Sequence, residues 1–392
     1  MNINTKIPSD VKEILTRLEK GGYRADIVGG PVRDLLMGKT PSDYDITTSA
    51  EPTETKAVFC REKTVDTGIK HGTVSLSFNG EQYEITTYRT DGEYLDSRHP
   101  ESVSFSKRIE DDLCRRDFTV NAISYNLNLG ITDLHGGIRD IEDRIIRAVG
   151  DPHLRFSEDA LRILRALRFA ATLGFEIESA TAAALRAKSQ NLRLISKERI
   201  FTELKKLISG DNSYKIIRDF KDVILTVIPE LSPLNMPSEA GYFSLNPKER
   251  AALIFLENGC ENNIEAVLKS LHSDNKSAKE IEKIASAAGV LTANEEKIRE
   301  LMLKCSKTVL SSAASVALAG GRISKEDYSF ITDLNDSNVP RTVAELKISG
   351  EDVKAQGYGG REIGKVLEGL IYAVCVKGLE NDKTALVNYI KK

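Results

Sequence analysis

Residues 26–46, DIVGGPVRDLLMGKTPSDYDI, constrain the fold more than any other part of the chain. Ile27 and Val28 read as the end of a buried strand, Gly29 and Gly30 as a turn, and Pro31 as the first residue of a helix. Glycine in that turn reaches backbone angles that other residues avoid, and it removes side chains that would keep a bulky anion from the peptide N–H groups. A helix start of this kind accepts a phosphate. Gly38 stops the helix, KTPS forms a loop, and DYDI resumes as a strand. Period-two alternation then puts Asp43 and Asp45 on one face and Tyr44 on the other. Two carboxylates so placed can share a pair of Mg²⁺ ions about 4 Å apart, the spacing used for in-line phosphoryl or nucleotidyl transfer. The stretch reads as a triphosphate cradle facing a metal platform. A glycine pair alone is a turn, and a D-x-D pair alone is a solvated loop; their strand–turn–helix–strand order carries the information. The P-loop and dinucleotide glycine patterns are missing, as are the glycine and distal glutamate of an EF-hand loop.

At 392 residues the chain should hold two to four domains. With 55 Lys and Arg against 58 Asp and Glu, it has no global basic signature, so contact with nucleic acid must come from local stripes. Cys60, Cys114, Cys260, Cys305 and Cys375 are scattered without C-x-x-C spacing, and the histidines form no ligand cluster, which supports neither a disulfide framework nor a zinc site. The N-terminus lacks the apolar core of a signal peptide and reads as an amphipathic helix capped by Ser9 and Asp10 and ended by Gly21. No long apolar span marks a membrane protein, so a cytoplasmic setting is expected.

From about residue 23 to 149, short β-type runs alternate with turns: ADIVGG, DYDITT, TVSLSF, QYEITTYR and AISYNL. After Asp151 the periodicity becomes helical and stays so. One helix is expected from Ser157 to near Gly174 and another between Ser196 and Gly210, while residues 232–247 form the most linker-like stretch. The expected class is α+β: a mixed-sheet head followed by helices.

Three further segments carry chemistry. QYEITTYRT puts Glu84 on a strand, either facing solvent or beside the two aspartates as a third carboxylate. CRRDFTVNAI crowds Arg115, Arg116 and Asp117 together, either as a surface ion-pair cluster or as paired donors for triphosphate and ribose oxygens. In SEDALRILRALRF, Glu158 and Arg162 have salt-bridge spacing. Asp159 and Arg162 allow a second account, in which a carboxylate acceptor and a guanidinium donor meet an amino group beside a bare ring nitrogen. Cytosine and adenine offer that edge; uracil and guanine present it reversed.

Taken with DLHGGIRD and ERIFTELKKL, these segments resemble the bacterial class II CCA-adding tRNA nucleotidyltransferases, over roughly residues 20–210 and more weakly beyond. The resemblance implies a polymerase-β-like catalytic head at 1–150, a nucleotide-selecting neck at 151–210, a helical body at 211–285 and a tRNA-binding tail at 286–392. It implies Asp43 and Asp45 as ligands of Mg²⁺, with Glu84 as the third catalytic carboxylate. Gly29, Gly30 and Arg33 are implied for the triphosphate, and Arg116, Asp117, Asp159, Arg162, Arg165 and Arg168 for the rest of the nucleotide. The implied partners are tRNA, CTP and ATP, in a monomer or homodimer, with the 3′-hydroxyl of tRNA attacking the α-phosphorus and pyrophosphate leaving. Poly(A) polymerases, CC-adding and A-adding enzymes share such a head. The segment at 90–105 looks full length, which favours complete CCA addition over CC addition without separating it from A addition. A catalytically dead RNA-binding scaffold would have no reason to keep all three carboxylates, and a small-molecule nucleotidyltransferase would not need a long helical arm.

Overall fold

A computed structural model describes residues 3–92 and 103–391. The chain divides into two compact units, Met1–Val227 and Ile228–Lys392, a coarser division than the four segments above.

The first unit is built on a seven-stranded mixed sheet. Its strands are β1 (Ala25–Val28), β2 (Asp45–Thr48), β3 (Lys63–Gly68), β4 (Thr73–Phe78), β5 (Glu81–Thr87), β8 (Ile123–Asn126) and β9 (Gly130–Asp133), in the order β3-β4-β5-β2-β1-β8-β9. Only β2 and β5 run parallel; every other neighbouring pair is antiparallel. Between β5 and β8 the short strands β6 (Arg89–Asp91) and β7 (Val103–Phe105) pair with each other. The helices α1 (Ser9–Lys20), α2 (Gly30–Leu36), α3 (Pro52–Val58), α4 (Ile109–Cys114) and α5 (Gly137–Glu142) complete this part. Alternation along the strands decides what each sheet face carries. Ile27, Ile46, Ile85 and Ile123 join Val11, Ile14, Leu15 and Leu18 of α1 in one buried cluster. The residue before each central isoleucine, Asp45 or Glu84, is thereby turned to the opposite, exposed face.

The helix α1 begins at Ser9 behind Pro8 with no side-chain cap, so the expected Ser9/Asp10 cap does not form. Strand β2 starts at Asp45, and Asp43 lies in the bend before it. Beyond the sheet come the two-residue strands β10 (Ile145–Ile146) and β11 (Glu176–Ile177), and the helices α6 (Pro152–Glu158), α7 (Leu161–Leu173), α8 (Ser179–Lys188), α9 (Lys197–Ile208), α10 (Ser213–Asp219) and α11 (Lys221–Val227). The single helix expected from Ser157 is therefore two. Asp159 adopts an extended conformation (φ −137°, ψ 103°), and its Oδ1 accepts the N–H of Leu161, so a local side-chain bond starts a new helix there.

The second unit is helical: α12 (Glu239–Phe243), α13 (Pro247–Glu257), α14 (Ile264–Ser270), α15 (Asn275–Val290), α16 (Glu295–Lys304), α17 (Lys307–Ala319), α18 (Lys325–Asp336), α19 (Gly350–Lys354), α20 (Arg361–Cys375) and α21 (Lys383–Ile390). Reciprocal caps such as Asn246 with Glu249 and Ser324 with Asp327 start several of them. A cluster of Leu346, Ile348, Val353, Leu370, Ile371, Val374 and Leu386 forms a core for its C-terminal part. The stretch at 232–247 contains α12 rather than loop alone. Among the described residues no helix is long and apolar enough to cross a membrane.

Candidate active site

The parallel pairing of β2 with β5 sets Asp45 directly opposite Glu84. Partners in register on neighbouring strands point the same way, so the two carboxylates stand side by side on the exposed face. Asp43 approaches from the preceding bend, with Tyr44 packed against the buried cluster behind it. The face of β2 continues through Thr47 into a cleft of ≈ 190 Å³ whose walls include Asp45, Thr47, Thr73, Thr86, Arg115 and Arg116. Desolvation by these walls raises the Asp45 pKa above its ordinary value; the charges of Asp43 and Glu84 push the same way, against Arg116. Among the described residues no lysine or arginine forms an ion pair with Asp43, Asp45 or Glu84.

The glycine turn faces this floor. Gly29 has φ +81°, a backbone conformation that favours glycine, and a Cβ there would lie 3.0 Å from Nη1 of Arg116. Gly30 opens α2, with Pro31 behind it. Arg116 is itself held: its Nη2 donates to Asp112 Oδ2 at 2.9 Å, while Arg115 donates to Asp112 Oδ1 at 2.6 Å. Burial alone would raise the pKa of Asp112, but Arg116 and Arg115 outweigh it and the net shift is downward.

Every other arginine singled out in the sequence is also paired. Arg33 is buried and donates to Asn121 Oδ1 at 2.7 Å and to Asp34 Oδ1 at 2.8 Å. Arg165 donates to Asp117 Oδ2 at 2.5 Å, and Arg168 to Glu203 Oε2 at 2.6 Å. Asp117 is thus placed as the anchor of Arg165. Burial works against its charge, but Arg165, aided by Arg162 and Asn121, holds its pKa down to about 2.

Asp159 and Arg162 do not share a helix, because the chain breaks between α6 and α7; the helical spacing that placed them on one face is corrected by the structure. Each has its own partner. Asp159 Oδ2 accepts from Arg199 at 2.7 Å, whereas Arg162 donates to Glu158 Oε2 at 3.0 Å and to the carbonyl of Arg115 at 3.1 Å. The Glu158–Arg162 salt bridge read from the spacing is present. Sequence reasoning assigned no role to Arg199 and Glu203. Their separation by four residues in the amphipathic ERIFTELKKL was the available signal, since it puts both on one face of α9.

Among the described residues no three carboxylate, histidine or cysteine side chains converge as closely as a finished metal site. The donor set nonetheless suits a hard divalent cation: Asp45 and Glu84 are oxygen donors, side by side, without a cationic side chain bound to them.

Comparison with known proteins identifies the family. Residues 25–147 match the poly(A) polymerase head domain, residues 174–234 the family described as "Probable RNA and SrmB- binding site of polymerase A", and residues 246–390 tRNA nucleotidyltransferase domain 2. The CCA-adding enzyme of Streptococcus suis is 36% identical, with 100% of this chain and 98% of that protein covered. The chain belongs to the CCA-adding enzyme family. The Lactobacillus helveticus member is 34% identical over 96% of this chain and 95% of its own. Among solved structures, the Bacillus stearothermophilus CCA-adding enzyme in complex with CTP superimposes with a TM-score of 0.79 at 30% identity, covering 97% of each chain. The Thermotoga maritima CCA-adding enzyme complexed with tRNA shares the fold, with a TM-score of 0.67 at 22% identity and coverage of 99% of this chain and 97% of that one. Family members are nucleotidyltransferases that typically use a divalent metal.

Proposed function

We propose that this chain adds C, C and A to the 3′ end of tRNA from CTP and ATP with Mg²⁺, choosing the nucleotide with protein side chains in place of a nucleic-acid template. The observation that carries the reading is the register of Asp45 against Glu84, on a face that also holds the glycine turn and Arg116. Asp43 and Asp45 would hold the metal, with Glu84 as the third carboxylate. Bound cations supply the positive charge that activates the 3′-hydroxyl and steadies the departing pyrophosphate. Gly29 and Gly30 leave the peptide N–H groups open to the triphosphate, and Arg116, steadied by Asp112, donates to its oxygens. Asp117 keeps Arg165 oriented. Arg33 and Arg168 act from their own buried ion pairs. To read a base, Asp159 and Arg162 exchange their present partners, Arg199 and Glu158, for the amino group and ring nitrogen of C or A.

The second unit supplies exposed Lys354, Arg361 and Lys365 around α19 and α20 for tRNA phosphates. The protein works in the cytoplasm, and the described cysteines are all free. The earlier reading of the segment at 90–105 falls largely on 93–102, outside the described residues.

The test is incubation with tRNA ending at the discriminator base, Mg²⁺, and each nucleoside triphosphate singly and together, resolved on a sequencing gel. Two C additions with CTP alone, followed by one A when ATP is present, is the expected ladder. Addition of A alone, or a long homopolymer, would assign the chain to another branch of the same fold.

A further inference from the structure

The arginines assigned above to the nucleotide come from two places: Arg33 from α2, just after the glycine turn, and Arg165 and Arg168 from α7. They meet at one aromatic ring. The Cζ of Arg168 lies 3.7 Å from the centroid of Phe169, and those of Arg165 and Arg33 each lie 5.4 Å away. The ring is only 7% exposed, which excludes it as a platform for stacking a base. Its orientation is set from behind by Phe118, edge-on, with centroids 5.9 Å apart and planes at 78°. Phe118 directly follows Asp117, the anchor of Arg165.

Burial alone could be met by an aliphatic side chain, so the convergence of three arginines on an aromatic ring asks for a reason. Three guanidinium groups converging within a few ångströms repel one another. The carboxylates of Asp34, Asp117 and Glu203 each answer a single arginine. The negative face of an aromatic ring attracts cations without consuming their hydrogen-bond donors, and one ring can serve several at once. The N–H groups left over can still be offered to a ligand.

We propose that Phe169 is a positioning residue for the incoming nucleotide: its ring holds Arg33, assigned to the triphosphate, and Arg165 and Arg168, assigned to the rest of the nucleotide, in one arrangement, so that the two parts of the nucleotide are gripped as a unit. The proposal rests on the nucleotide-binding roles given above to those arginines. It makes Phe169 a determinant of nucleotide affinity that touches neither the nucleotide nor the metal.

The experiment uses the full-length enzyme with Phe169→Leu, Phe169→Tyr, and trifluorophenylalanine at position 169, which keeps the shape of the ring while depleting its negative face. Arg33→Ala and Arg165→Ala are measured alongside. Readouts are the KM for CTP and for ATP, competitive inhibition by inorganic tripolyphosphate, tRNA binding, and thermal melting. In Phe169→Leu and in the fluorinated enzyme, KM for CTP and ATP should rise together by about threefold to tenfold, as for loss of cation–ring contacts. Tripolyphosphate inhibition should weaken by a similar factor, tRNA binding should be unchanged, and Phe169→Tyr should behave as wild type. If Phe169→Leu folds poorly, the fluorinated enzyme decides. A fluorinated enzyme with normal KM values, beside arginine variants with raised ones, overturns the role of the ring alone. Arginine variants with normal KM values overturn the underlying assignment and the proposal with it. A raised KM for CTP with unaltered tripolyphosphate inhibition overturns the coupling of the two parts.

Discussion

The carboxylate floor on β2 and β5 and the arginine wall that follows α4 and runs along α7 belong to the same compact unit, yet they are finished to different degrees. On the wall, each arginine has a carboxylate: Arg115 and Arg116 share Asp112, Arg165 has Asp117, Arg168 has Glu203 and Arg162 has Glu158. On the floor, Asp45 and Glu84 stand side by side without an ion-pair partner among the described residues, and Asp45 is raised in pKa by desolvation and by its neighbours' charge. Ion pairing fixes the orientation of these guanidinium groups within the protein itself. An unpaired floor stores repulsion that protonation or an added cation relieves. The difference teaches that the arginine half balances its charge within the protein, whereas the carboxylate half does not.

The most severe way to break the comparison is to neutralise the floor. Asp45→Asn should reduce nucleotide addition to background while leaving tRNA binding nearly intact. A raised folded-state pKa means that stability falls as pH rises between the ordinary carboxylate value and the folded one, so at neutral pH the ionised side chain is a net cost. Melting of Asp45→Asn in a chelator at pH 7 should therefore be no lower than wild type, and higher if repulsion dominates. A clear drop in melting temperature would mean that Asp45 is part of the scaffold rather than of an open cation site.

Next in size is the base-reading edge. A bidentate contact of this kind is worth about 1–3 kcal/mol of discrimination. Asp159→Ala and Arg162→Ala should admit UTP and GTP measurably and lower use of CTP and ATP together. Single-nucleotide incorporation with all four triphosphates is the measurement, and an unaltered C/A to U/G ratio in both variants would leave only the salt bridges. Arg199→Ala separates support from readout: it frees the Asp159 carboxylate without removing it, so it should disturb discrimination less than Asp159→Ala.

The wall itself is tested by Asp117→Asn. Its carboxylate pKa lies at about 2 against an ordinary value of 3.8, so the pair contributes stability that is complete above the ordinary value and lost as pH falls through the folded one. The shift corresponds to roughly 2 kcal/mol at neutral pH. Urea unfolding should show a gap of that order between wild type and Asp117→Asn at pH 7, shrinking below pH 3. A gap independent of pH would show that shape, not charge, is what Asp117 supplies.

The smallest expected effect lies beside the floor, on the same sheet face. Asp26 of β1 is fully buried and accepts from Tyr88, Arg24 and Ser124. Burial first, and the charge of Asp26 next, raise the pKa of Tyr88. Tyr88→Phe leaves Asp26 two donors and should cost about 1 kcal/mol in thermal unfolding, the usual net worth of one hydrogen bond, with activity nearly unchanged. A large loss of activity at unchanged stability would make the floor depend on this bond and narrow its contrast with the wall.

Much of the first unit was legible because its signals are local. The glycine pair, Pro31 and Gly38 mark a turn and a helix within ten residues, and alternation assigns Ile46 and Ile85 to the core and their neighbours Asp45 and Glu84 to the opposite face. The identity of Asp43 and Asp45 as candidate metal ligands follows from such short-range pattern, even though Asp43 turns out to precede the strand. What tertiary structure alone decided is which distant residues meet. The parallel register that sets Asp45 against Glu84 joins positions 39 apart in the chain. The break at Asp159 follows from a side-chain-to-backbone bond that outcompetes the continuous helix suggested by periodicity. The pairing of Asp159 with Arg199 and the convergence of Arg165 and Arg168 on Phe169 depend on how α7 packs against α9, and α2 brings Arg33 to the same ring. Spacing along a sequence specifies faces, because strand and helix periods are fixed by backbone geometry; partners across elements are chosen by packing, which no local period records.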